Sequence, residues 1–290
     1  MGQDALIADL VKRCIGLGFL QDIYTVKEAR DRVQSLLVKL KQTGLLSDSY
    51  SNDHFSMQNI VRNAALSIAS EDNHVFRLTK GKLDEWPNEE KLENYTDMFL
   101  QYCDFIEEFP RSIRCPRVRV FQIDNNDPHL KLPDSFFQEM KELRVLILTG
   151  IHLSPLPSSI GLPVELKNLS KLQIFDISNC SKLVHISSNL ISSLTRLEEL
   201  YMRNTSIQWK VNNEQENQNA SLSELGNLNE LTNLDLQIPN AAHLPKNLFF
   251  DRLQNYEIIV GSLDRYSKQE FKMPENHELV RFLAIQQKNV

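Results

Sequence analysis

From about Tyr95 onward the apolar residues fall into a recurring frame, L-x-x-L-x-L. It occurs as YTDMFL (Tyr95, Met98, Leu100), VRVFQI (Val118, Phe121, Ile123), LRVLIL (Leu143, Leu146, Leu148) and LQIFDI (Leu172, Phe175, Ile177). It continues as LEELYM (Leu197, Leu200, Met202), LTNLDL (Leu231, Leu234, Leu236) and LQNYEI (Leu253, Tyr256, Ile258). Successive starts lie 23, 25, 29, 25, 34 and 22 residues apart. Most intervals fall in the window of about 20–29 residues that leucine-rich repeats occupy. Each frame predicts a short strand. Its fourth and sixth side chains turn inward, and its third, fifth and seventh turn to the outer, concave face, because strand side chains alternate. The ninth position favours Asn or Cys, whose side chain serves backbone groups where the chain turns away. Cys103, Cys180 and Thr205 occupy it, which gives both cysteines a structural role. EEFP, SPLP and AHLP close several repeats at Pro110, Pro157 and Pro245, and VNNEQENQNAS in the long interval reads as an exposed loop. Repeats bury their apolar faces only against neighbours, so an array needs caps. ELVRFLAIQQKNV at the C-terminal end shows no capping pattern.

The pattern ahead of the repeats is helical. Leu6, Leu10, Cys14 and Leu17 predict a helix over 4–20, ended by Gly16 and Gly18. Thr25 and Glu28 form a capping box for a second helix, with an apolar stripe of Val26, Ala29, Val33, Leu36, Leu37 and Leu40 and a stop at Gly44. FSMQNIVRNAALSIAS (55–70) predicts a third helix, capped by Ser56, that buries Met57, Val61, Ala64, Ala65 and Ile68. HVFRL (74–78) predicts a short strand. The expected fold is thus α/β: a small helical, winged-helix-like unit over residues 1–80, followed by a leucine-rich-repeat solenoid over 81–290. This unit can cap one side of the array.

Charge and composition narrow the function. The net charge is −6, which argues against a nucleic-acid binder. A winged-helix architecture often binds DNA, but the third helix offers Gln58, Asn59, Arg62 and Asn63 with a single cation, so no nucleic acid is expected. The four cysteines Cys14, Cys103, Cys115 and Cys180 are scattered, which predicts reduced thiols and neither a disulfide framework nor a metal site. No stretch approaches the length of a membrane span, so no membrane insertion is expected, and the N-terminus lacks a signal-peptide layout. Sequons begin at Asn94, Asn168, Asn179, Asn204 and Asn219 and read as incidental. The seven histidines are dispersed, and no Ser or Cys stands in a nucleophile elbow, so catalytic and metal-binding residues are expected to be none. The concave columns instead supply a candidate protein-binding face: Asp124, Asp176, Glu199, Tyr201, Arg203, Asn233, Asp235 and Glu257. It is acid-rich and favours basic partners.

The segments FSMQNIVRNAALSIAS, HVFRL, EFPRSIRCPRVRVFQIDNN, LPDSFFQEMKELRVLILTGIHLSPLPSSIG and SNCSKLVHISSNLISSLTRLEELYM occur in that order. Together they resemble plant intracellular nucleotide-binding leucine-rich-repeat (NB-LRR) disease-resistance proteins of the coiled-coil class. The resemblance implies that residues 1–80 correspond to the winged-helix end of the nucleotide-binding region. Met57, Gln58 and Asn59 then match the family's Met-His-Asp motif. Met57 is retained, while Gln58 replaces the phosphate-sensing His and Asn59 the Asp. Gln cannot titrate, which predicts an inactive sensor. The chain holds no G-x-x-x-x-G-K-[ST] loop, so no cofactor is expected, ADP or ATP entering only as part of a longer chain. At SSIGLPVELKNLSKL (158–172) the chain departs from the family, and the resemblance implies that repeats are joined directly there. The implied function is a defence-response protein-interaction module, not an enzyme, in the cytoplasm and also the nucleus. Its partner would be a pathogen effector, a guarded host protein or another NB-LRR receptor. The alternatives are a non-functional partial product of a resistance gene, or a fragment of a larger ADP/ATP-dependent immune switch.

Overall fold

The computed structural model describes residues 3–20, 22–69, 74–105, 109–125, 130–151, 169–210, 218–239, 252–260 and 280–284. In chain order these hold β1 (Gln3–Leu6), α1 (Ile7–Leu17), α2 (Val26–Gln42), β2 (Ser47–Asp48), β3 (His54–Met57) and α3 (Asn59–Ala69). Next come β4 (Val75–Thr79), β5 (Lys82–Leu83), α4 (Glu89–Asn94), β6 (Asp97–Gln101), β7 (Asp104–Phe105), β8 (Val120–Asp124) and β9 (Val145–Thr149). The rest are β10 (Ile174–Asp176), α5 (Leu190–Ser193), β11 (Glu199–Met202), β12 (Asn233–Ile238), β13 (Asn255–Val260) and β14 (Val280–Ala284).

Each of the seven frames forms a strand, and the strands pair in parallel in the order β14-β13-β12-β11-β10-β9-β8-β6-β4. Fourth positions stand side by side: Met98 with Phe121, Phe121 with Leu146, Leu146 with Phe175, and onward through Leu200, Leu234 and Tyr256. A one-residue slip would turn every such set to the other face, so burial fixes the register. The fourth and sixth side chains of all seven frames lie in one continuous core. Phe121, Phe136 and Phe137 add edge-to-face ring contacts inside it.

The eighth position of the frame carries the turn. Tyr102, Gly150, Asn179 and Asn204 all take positive φ there, at 53°, 69°, 63° and 55°. Gly and Asn enter that region at least cost, so their recurrence follows from the geometry. At the ninth position the Cys103 thiol donates to the Leu78 carbonyl at 3.3 Å, the Cys180 thiol to that of Leu148 at 2.9 Å, and the Thr205 hydroxyl to that of Met202 at 3.1 Å. Burial pushes the Cys180 thiol up to about 12, the property of an inert structural cysteine. Pro157 and Pro245 lie outside the described residues.

The N-terminal unit differs locally from its sequence pattern. Residues 4–6 are strand, not helix, because β1 pairs antiparallel with β3. That pairing also makes His54–Met57 extended, so Ser56 lies within a strand and does not cap α3. The third helix begins at Asn59, with the Arg62 amide donating to the Gln58 carbonyl at 2.9 Å. Ala64 and Ala65 are exposed, contrary to the expected buried face. The sheet order β1-β3-β2, with α1 and α2 between its first two strands, keeps the winged-helix-like arrangement. The Thr25–Glu28 capping box of α2 is present, and Gly44 takes positive φ after it. Val26, Ala29, Val33 and Leu37 of the α2 stripe are buried, while Leu36 and Leu40 are exposed. HVFRL is not a strand of this unit: as β4 it pairs with β6 and opens the solenoid sheet.

Candidate functional site

The outward side chains of the strands make two different surfaces. Over β6 to β10 they are largely apolar: Phe99, Val120, Val145, Ile147 and Ile174. Exposed on a concave face, they would leave a continuous apolar patch in water, which folded chains avoid. Here α1 and α2 cover them, and Val11, Ile15, Val26, Ala29, Val33 and Leu37 complete a second core against that face. At Gly16 the helix backbone comes so close that a Cβ would stand 1.8 Å from the Val120 Cγ2. Gly16 is thus a site of close approach as well as part of a helix end.

Polar contacts rim this core. Lys12 Nζ pairs with Asp176 at 2.8 Å and lies 4.9 Å from the centre of the Tyr201 ring. Arg30 forms an ion pair with Glu199 and donates to the Tyr201 hydroxyl at 3.3 Å, while that hydroxyl donates to Glu199 at 2.8 Å. Glu198 reaches the start of α2: one carboxylate oxygen accepts the Val26 amide at 2.6 Å, the other the Gln173 side-chain amide at 2.8 Å. A carboxylate at a helix N-terminus meets unpaired N–H groups and the positive end of the dipole. Arg119 donates to the Leu17 carbonyl at 3.2 Å, and the Arg13 guanidinium stacks 4.6 Å from the Phe99 ring centre.

The predicted face therefore divides. Asp176, Glu199 and Tyr201 lie against α1 and α2 and are engaged by Lys12 and Arg30. Asn233 is buried beside them and donates to Glu199 at 3.2 Å. Asp124 stands apart at the end of β8, accepting hydroxyls from Tyr102 and Thr149; burial nonetheless pushes its carboxyl above the usual range. Arg203, Asp235 and Glu257 form a separate cluster, in which Arg203 pairs with Asp235 at 2.9 Å and with Glu257. Beside them an open groove of 280 Å³ is lined by Tyr201, Asn233, Leu234, Asp235, Asn255, Tyr256 and Glu257. Met57, Gln58 and Asn59 lie elsewhere, at the junction of β3 and α3. The acid-column reading missed the apolar half of the concave face. Its signal was present in the sequence: LRVLIL is apolar at consecutive positions, the mark of a strand covered on both sides.

No family model matches the chain. It is 22% identical over 309 residues to a disease resistance protein of Arabidopsis thaliana, covering 88% of this chain and 31% of that protein. A second Arabidopsis protein named for disease resistance is 25% identical over 186 residues, 63% of this chain and 20% of that protein. A third is 31% identical over 108 residues, 37% of this chain and 8% of that protein. The chain is thus similar to plant disease-resistance proteins. It spans about a third of the length of the first relative and a fifth of the second. In this chain the repeat array and the helical unit are present together, one seated on the other. Among the described residues no helix is long and apolar enough to cross a membrane.

Two outcomes follow from this geometry. Gly16→Ala forces α1 away from Val120 and lowers stability by about 1–3 kcal/mol, the usual cost of overpacking; urea unfolding measures it, and faster proteolysis within residues 1–60 locates it. Glu198 provides the second. Burial raises its carboxyl above the usual range, outweighing the hydrogen bonds from Val26 and Gln173, and neighbouring Glu199 and Glu230 raise it further. The folded chain then holds this proton more tightly than the unfolded chain. Its stabilising contribution is complete below the ordinary carboxylate range and is lost as pH rises through the elevated folded value. Glu198→Gln still offers an acceptor to Val26 but removes that loss. Between about pH 4 and neutrality its melting temperature varies less with pH than the parent's, as thermal melts at stepped pH would show.

Proposed function

We propose that the chain serves plant defence as a protein-interaction module, without catalysis, in the cytoplasm and nucleus. The observation that carries this reading is the division of the concave face. The helical unit covers β6 to β10 and reaches β11, while the groove over β11 to β13 stays open with Asp235 and Glu257 on its wall. The partner is a protein: a pathogen effector, a guarded host protein or another NB-LRR receptor. Arg203 already holds both carboxylates, so a basic side chain of the partner would compete with it for Asp235 and Glu257. No nucleotide is held by these residues alone; Met57 packs against the second core, while Gln58 and Asn59 are exposed and serve no sensing role.

A second reading draws on a separate observation, the coverage of 31% of the first relative's length. In it the same interface works within a longer ADP/ATP-dependent receptor, and Met57, Gln58 and Asn59 join the nucleotide-binding region to the repeats. An immunoblot of the endogenous product separates the two: a band near 33.6 kDa fits a free-standing module, and a band several-fold larger fits the receptor.

Affinity purification from challenged plant tissue tests the binding face. The tagged parent chain retains a defined protein in near-stoichiometric yield. Asp235→Arg with Glu257→Arg lowers the yield about tenfold or more, the scale of an interface hot spot, while Arg111→Glu, outside the groove, leaves it unchanged. An identical set of proteins on parent and double variant contradicts the reading and favours a partial product without specific binding.

A further inference from the structure

A cleft of 490 Å³ lies where the segment before α2 meets the rim of the repeat array. Its lining comes from both sides: Ile23, Tyr24 and Thr25 from the helical unit, and Arg144, Lys171, Gln173, Arg196, Glu198 and Glu230 from the repeats. The volume is within the usual range for small-molecule sites. Three cations face it. Lys171 shares its charge with Glu142 at 2.5 Å, but among the described residues Arg144 and Arg196 have no carboxylate partner. Glu198 makes no ion pair with them, its two oxygens accepting instead from Val26 and Gln173. Two uncommitted guanidiniums with an ammonium beside them suit a phosphate, which takes paired N–H donors from each arginine. Glu230 adds an acceptor, which an inorganic anion would leave unused and a hydroxyl would satisfy. Tyr24 stands at 80% exposure with its ring available to cover the carbon skeleton of an occupant.

We propose that this cleft binds a small phosphate ester bearing hydroxyl groups, with its phosphates on Arg144, Lys171 and Arg196 and a hydroxyl on Glu230. The cleft exists only while the helical unit sits on the sheet, because each contributes a wall. Bound ligand therefore favours the docked arrangement by mass action. The site is separate from the open groove over β11 to β13, so it stands or falls independently of partner binding there.

Isothermal titration of the purified chain with fructose 1,6-bisphosphate is the test, with fructose and inorganic phosphate as comparators. The bisphosphate binds saturably at one site and both comparators bind at least about tenfold more weakly. Arg144→Gln with Arg196→Gln lowers the bisphosphate affinity by about tenfold or more, and Arg196→Gln alone, at an exposed side chain, lowers it measurably with the circular dichroism unchanged. Arg111→Gln, outside the lining, has no effect. The bisphosphate also slows proteolysis of residues 1–60 in the parent and not in the double variant. Absence of saturable binding, equal binding by inorganic phosphate, or affinity indifferent to both arginines would overturn the assignment.

Discussion

The strands at the centre of this sheet are apolar on both faces, and that constraint organises the molecule. Phe121, Leu146 and Phe175 pack inward, as the repeat demands. Val120, Val145, Ile147 and Ile174 point the other way and need a second cover. A solenoid whose concave face carries such side chains is stable only if something lies on it. The helical unit supplies the cover from the same chain, and Gly16 lets α1 approach closely enough to exclude water above Val120. The apolar contact sets the position, and the ion pairs around it fix the orientation. Lys12 with Asp176 and Arg30 with Glu199 link two helices to two successive strands, which a sliding or rotated unit could not satisfy together.

This packing changes what the concave charges do. Taken as a column, Asp176, Glu199, Asp235 and Glu257 resemble a uniform acidic surface for a basic partner. In the fold the first two are committed internally and the last two are held by Arg203. Burial also shifts Asp235 and Glu198 upward, despite the donors that each accepts from. These carboxylates carry a desolvation cost that is offset by specific partners, so replacing one partner has a larger effect than surface charge alone would give. What stays accessible is a smaller region over β11 to β13 and the basic cleft at the rim.

Much of the fold was legible in the sequence, because a strong local rule repeats. L-x-x-L-x-L fixes strand position, face and register at once, whereas the left-handed turns at its eighth position, at Gly150, Asn179 and Asn204, were seen only in the structure. The Thr25–Glu28 box marked the start of α2 for the same reason: both partners lie within one turn. Long-range pairing was the weak point. Asp4 to Leu6 and Phe55 to Met57 have helical spacing in isolation, and only their mutual pairing makes them strands. Of the candidate site, the residue positions on the concave face were legible but their partners were not. Lys12 and Arg30 lie 164 and 169 residues from the carboxylates they meet, and no local pattern encodes such a contact. The arginines of the cleft were overlooked because Arg144 and Arg196 come from different repeats and converge only across the rim.

The seating of the helical unit on the concave face is open to a simple chemical probe. Treatment with a zero-length carbodiimide reagent, followed by mass spectrometry of the digest, joins amines to carboxylates already in contact. The structure predicts a cross-linked peptide pair uniting Lys12 with Asp176, which lie 2.8 Å apart. Finding Lys12 joined only to carboxylates within residues 1–60, or to none, while protease strips those residues from an intact solenoid, would contradict the docked arrangement.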